Sequence, residues 1–128
     1  MRESYFQKKF CEQLKAARFV IFNLSDKFTS GIPDVYCARD GVSHWYELKV
    51  VNKAKGMVDL SDSSGTGHGF TKAQKINIYK LRQAGVDAWG IVHVAPHKKT
   101  VKIPPEDFER RLDVEELLQY EEFSIENT

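Results

Sequence analysis

Two β-rich runs separated by Asp40-Gly41 constrain this chain more than any other feature. An Asp-Gly pair between β-branched and aromatic segments is a strong signal for a two-residue hairpin, because the favoured turn needs positive φ at both central residues. The flanks read as strands over residues 34–39 and 42–51, with Pro33 tolerated at the entry to the first. A two-residue loop sets the register: Arg39 faces Val42, Tyr36 faces Trp45 and Asp34 faces Glu47. A one-residue bulge would shift it. Period-two alternation puts Lys49 on the face of Glu47, so two carboxylates and an ammonium converge on one patch of the sheet.

Like charges directly opposite each other destabilise a sheet, so Asp34 against Glu47 requires something positive. Lys49 supplies one charge, and a divalent cation would supply more. Carboxylate oxygens, water and a substrate phosphate are the ligands Mg²⁺ prefers. A hydrated metal lowers the pKa of its water and neutralises charge on a phosphoryl oxygen, while Lys49 is placed to orient the water or stabilise the transition state. That set is suited to cleaving a phosphodiester. The same residues also read as a surface hairpin whose acids and bases merely pair.

Around the hairpin, Phe6, Phe10, Leu14 and Ala17 recur at helical spacing and predict a helix over residues 3–17. Residues 19–22 read as a short buried strand, and 52–70 as a long loop with a Ser/Gly-rich centre. A second helix is expected over 71–84 with Gly85 as its stop, then strands over 88–95 and 100–103. Pro104-Pro105 precede a final helical region, 106–120. The order α-β-β-β-α-β-(β)-α indicates a single mixed α/β domain: a core over 1–105 and an acidic helical C-terminal extension of the same domain over 106–128.

The net charge of +1 conceals a split. Residues 1–105 carry 17 Lys/Arg against 9 Asp/Glu, a net +8, and residues 106–128 carry 2 against 9, a net −7. A basic body able to meet a polyanion, followed by an acidic tail, is one reading; two solvated surfaces of opposite sign is the other. The tail is expected to fold away from the face that would meet the polyanion, at a dimer interface or against the basic surface. The longest apolar run, residues 19–22, is far too short to span a membrane, and no secretory signal is expected behind Arg2. Cys11 and Cys37 fit packed, reduced thiols better than a disulfide.

Glu3 falls within the apolar stripe of the first helix, which aims an acid at the interior; stabilisation of a helix N-terminus by its charge is the plainer reason. Gln74 completes Thr71-x-x-Gln74, a capping box, yet shares a stripe with Ile78 and Leu81 that faces the sheet. The glycines at 65, 67 and 69 lack the Gly-Lys-Ser/Thr of a phosphate loop. His93 and His97 sit around strand and proline, not on a helix, which argues against a helical metal pair. Lys53, Lys55, Lys72, Lys75, Lys98 and Lys99 are candidate phosphate contacts or a solvated face.

Together, Gly31-Ile32-Pro33-Asp34, Glu47-Leu48-Lys49 and a Gln74-bearing helix resemble the PD-(D/E)xK nuclease superfamily. Within it, Glu3-Ser4-x-x-Gln7, Ser30-Gly31-Ile32-Pro33-Asp34 and Thr71-x-x-Gln74 are most similar to the small stand-alone VRR-NUC nucleases of phages and bacteria, relatives of archaeal-type Holliday junction resolvases. The resemblance spans residues 3–94, and the 53–70 stretch is longer than the family's usual connection. It implies a restriction-endonuclease-like αβββαβ core with a central mixed sheet flanked by helices. It implies Mg²⁺ or Mn²⁺ held by Asp34, Glu47 and the Leu48 carbonyl, with Lys49 catalytic. Glu3 would be the family's helical acid, binding metal directly or through water, and Gln74 the supporting glutamine. The implied activity is a metal-dependent endodeoxyribonuclease on branched or structured DNA, often a homodimer, with Ser30, Lys53, Lys55, Lys72 and Lys75 toward the DNA. The implied setting is the cytoplasm of a bacterial cell or phage-infected host. A Holliday junction resolvase acting as a symmetric dimer, and a non-catalytic nucleic-acid-binding or assembly module, are the alternatives.

Overall fold

The computed structural model describes residues 1–24, 31–62 and 69–127. Ser30 and the centre of the Ser/Gly stretch lie outside the described residues. Helix α1, Glu3–Ala16, buries Phe6, Phe10, Cys11 and Leu14 on one stripe. Strands β1 (Val20–Asn23), β2 (Val35–Arg39) and β3 (Val42–Val51) follow as an antiparallel meander. Asp40 and Gly41 take φ of 55° and 80°, the left-handed pair that the tight turn demands. The expected register is present: Arg39 pairs with Val42, Tyr36 with Trp45 and Val35 with Tyr46.

Helix α2, Lys72–Gln83, carries the chain over one face to β5, Asp87–Val94, which lies parallel to β3; β6, Lys99–Ile103, returns antiparallel. The sheet order is β1-β2-β3-β5-β6. Alternation along β3 divides the core. Tyr46 and Leu48 join Phe6, Phe10, Leu14, Val35 and Ile91 on the α1 face. Trp45 and Val51 join Phe70, Ile78, Val92 and Ile103 on the other, the face of Glu47 and Lys49. His44 Nδ1 lies 2.6 Å from Asp87 Oδ2 and ties β3 to β5. Among the described residues no helix is long and apolar enough to cross a membrane.

Three expectations need correction. The first strand is not buried: β1 lies at the edge of the sheet, with Val20 60% and Phe22 55% exposed. Residues 52–70 are not all loop: Met57–Asp59 forms β4, paired antiparallel with β7, Arg111–Asp113. Nor is 106–120 one helix. A 3-10 turn over Pro105–Asp107 leads to β7 and then to α3, a single turn over Val114–Leu117. Asp113 and Glu116 form a capping box that starts this turn afresh. Phe108, Leu112, Val114 and Leu117 are fully buried, so the acidic tail is built into the core of the α2 face. Beyond α3 the main chain runs along β6: Lys102 N donates to Glu121 O at 2.8 Å and Phe123 N to Thr100 O at 2.8 Å.

Candidate active site

The hairpin brings the acidic residues together. Continuing the β2–β3 register by one pair sets Asp34 opposite Glu47, and Asp34 Oδ2 accepts a hydrogen bond from Leu48 N at 3.0 Å. Glu47 is 1% exposed, and its Oε1 is buried with no hydrogen-bond partner among the described residues. Burial, then the charge of Asp34 and a hydrogen bond with it, and more weakly Glu3, push the Glu47 carboxyl well above the usual range; Lys49 opposes them. Lys49, 7% exposed, places Nζ 3.6 Å from Glu47 Oε2 and 5.8 Å from the centre of the Phe70 ring.

The surroundings hold this cluster in place. Gly31 has φ of +79°, and a Cβ there would lie 2.6 Å from the Ala73 carbonyl carbon. Asn77 Nδ2 donates to Gly31 O at 2.9 Å, so the first turns of α2 rest on the segment that leads into Asp34. This is a physical reason for glycine in the Gly-Ile-Pro-Asp stretch. Beneath Lys49, Phe70 stacks on Phe108 with centroids 3.9 Å apart. The pair occupies the space over Gly90, where a Cβ would come within 2.7 Å of both rings; Gly90 is the β5 partner of Glu47. Sequence reasoning missed Asn77, Phe70 and Gly90. Only Gly90 left a signal, a glycine inside an apolar strand.

The other named residues divide. Glu3, half-buried at the start of α1, lies close enough for its charge to act on Glu47. Gln74 works as a cap: Thr71 N donates to its Oε1 at 2.9 Å and Gln74 N to Thr71 Oγ1 at 3.1 Å. The predicted lysines are scattered. Lys53 Nζ donates to Met57 O at 2.9 Å, Lys75 lies 3.7 Å from Glu109, and Lys55 and Lys72 are exposed. Among the described residues no three His, Cys, Asp or Glu side chains group into a ready metal cage. Two carboxylates and a backbone carbonyl are nonetheless hard oxygen donors, and the partnerless buried Oε1 of Glu47 is an acceptor that a cation would satisfy. The residues therefore fit a hydrated divalent ion that keeps several water ligands.

No family model and no curated protein matches the chain. Its fold is similar to that of a solved structure, the Holliday junction resolvase Hjc of Archaeoglobus fulgidus, an archaeal hyperthermophile. The TM-score is 0.58 at 14% identity, over 86% of this chain and 87% of that one. The mixed sheet flanked by helices is thus the fold that the two structures share.

Proposed function

We propose that this protein is a divalent-metal-dependent DNA endonuclease that hydrolyses phosphodiesters in branched or structured DNA. The observation that carries the reading is a buried Glu47 carboxylate, without a partner at Oε1 among the described residues, set against Asp34 and beside the buried Lys49. A buried acidic pair that a single lysine only partly offsets costs stability, and a chain without use for a cation gains nothing by keeping it. Asp34, Glu47 and the Leu48 carbonyl would hold Mg²⁺ or Mn²⁺, with Glu3 reached directly or through water. When bound, the ion supplies a lowered water pKa and neutralises charge on the phosphoryl oxygens. Lys49 Nζ donates to the attacking water or to a non-bridging phosphate oxygen, and its surroundings keep bulk water away. Asp34 fixes the β3 backbone through Leu48 N. Gln74 braces the helix start through its cap, leaving its amide nitrogen as the end that would reach the site.

The likeness to Hjc favours a second reading, a resolvase that cuts two strands as a symmetric dimer. A panel of linear, nicked, flapped and four-way-junction DNA with Mg²⁺ or Mn²⁺ separates the readings. Cleavage abolished by Asp34→Ala and by Lys49→Ala supports the endonuclease, and activity surviving both refutes the site. Paired symmetric nicks confined to junctions, from a dimer in sedimentation, select the resolvase. Binding without cleavage on any substrate selects a non-catalytic module.

A further inference from the structure

Three aromatic residues form a row across neighbouring strands on the face that carries the carboxylates. Phe22 of β1 pairs with Tyr36 of β2, which pairs with Trp45 of β3. The ring centroids are 5.9 and 5.0 Å apart. Tyr36 stands two residues along β2 from Asp34, and Trp45 two residues along β3 from Glu47, about 7 Å at the rise of a strand. The row therefore ends within reach of a single nucleotide from the acidic pair. Trp45 packs against the core, Tyr36 is half-buried, and Phe22 is 55% exposed at the open edge of the sheet.

Resting on the nuclease reading, we propose that Phe22, Tyr36 and Trp45 form a stacking shelf for unpaired nucleobases, which holds a single-stranded segment beside the carboxylate pair. The row is aromatic throughout, and every nucleobase offers a π-face, so such a surface takes bases without regard to sequence. Its rings are braced by one another and by the core, so ordering them costs little on binding. Bases within a duplex are already stacked and paired. Only frayed, flapped or junction bases can use the shelf, and it is continuous with the face that would receive the scissile phosphate. The shelf thus gives a physical basis for a preference for branched over linear duplex.

The test is binding in EDTA, where no cleavage occurs. The probes are a flapped duplex, the same duplex without its flap, and the duplex with an abasic flap. Phe22→Ala, at an exposed position that leaves the core intact, weakens flap binding roughly tenfold. It leaves duplex and abasic-flap binding unchanged, and Phe22→Trp restores the loss. In a Trp89→Phe background, which leaves Trp45 as the only tryptophan, the flap quenches the indole fluorescence and the duplex does not. Equal loss on all three probes overturns the shelf. So does a dimer that Phe22→Ala converts to monomer, which would make the row a contact between two copies. Metal-dependent cleavage without a flap-specific loss removes the shelf and keeps the nuclease. Flap-specific quenching with no cleavage of any substrate in Mg²⁺ or Mn²⁺ removes the nuclease and keeps the shelf.

Discussion

Replacing Glu47 by Gln makes the cost of the acidic pair measurable. The introduced amide has the shape of the protonated acid and does not titrate. Burial and the facing Asp34 hold the Glu47 carboxyl well above its unfolded range. Between the two pKa values the folded state therefore binds one proton more than the unfolded state. The stability from this group is complete below the ordinary carboxylate range and is lost as pH rises toward the raised value. Within that window wild type loses about 1.4 kcal/mol per pH unit relative to Glu47→Gln. For a chain of this size that is about 5 °C in Tm per pH unit. The assay is thermal unfolding of both proteins in EDTA across a pH series. On the proposed site, divalent metal then reverses the order, because the variant keeps Asp34 but loses one of the two anionic ligands. At a hundredfold excess over the wild-type Kd, Mg²⁺ or Mn²⁺ adds about 2.7 kcal/mol to wild type and much less to the variant. A Tm difference that is flat with pH, or equal stabilisation of both proteins by metal, refutes the reasoning.

Thr71→Ala removes the hydroxyl that accepts from Gln74 N, and should lower stability by about 1 kcal/mol in a urea titration. Gly90→Ala drives a methyl to 2.6 Å from Phe108 and 2.7 Å from Phe70 in a filled core, costing about 1–3 kcal/mol. Because Phe70 lies under Lys49, this variant should also lose cleavage when assayed well below its Tm. Burial and the nearby Asp87 push the Cys37 thiol up to about 12, so it should resist a thiol reagent at mild alkaline pH and label only on unfolding in urea.

The hairpin was legible because its information is local. Asp40-Gly41 fixes the turn, the turn fixes the register, and the register places Asp34 against Glu47. Helix α2 was legible for the same reason, as Thr71 and Gln74 mark its start and Gly85 its end. The small sheet was not. Strand β4 has three residues, and its partner Asp113 lies 56 positions beyond Met57, so neither strand carries a pattern of its own. The tail misled through mixed periodicity. Phe108 to Leu112 is helical spacing, Leu112 to Val114 is strand spacing, and Val114 to Leu117 is helical again. All four are buried, and their average resembles one amphipathic helix. At the site, the residue types were legible, whereas the burial of Glu47 was not, because it depends on β5 and Phe70.

That dependence has a kinetic consequence. Asp34 and Glu47 meet through a turn that closes in microseconds, whereas the parallel pairing of Glu47 with Gly90 must first close a loop of 43 residues. The acids therefore come face to face while still hydrated, when their repulsion is weak, and lose water only as β5 and the rings over Gly90 arrive. The energetic penalty of the pair falls late, on the step that completes the core. A cation that joins the hairpin before that step lowers its barrier. Refolding should then be faster in Mg²⁺ than in EDTA, which stopped-flow fluorescence would record.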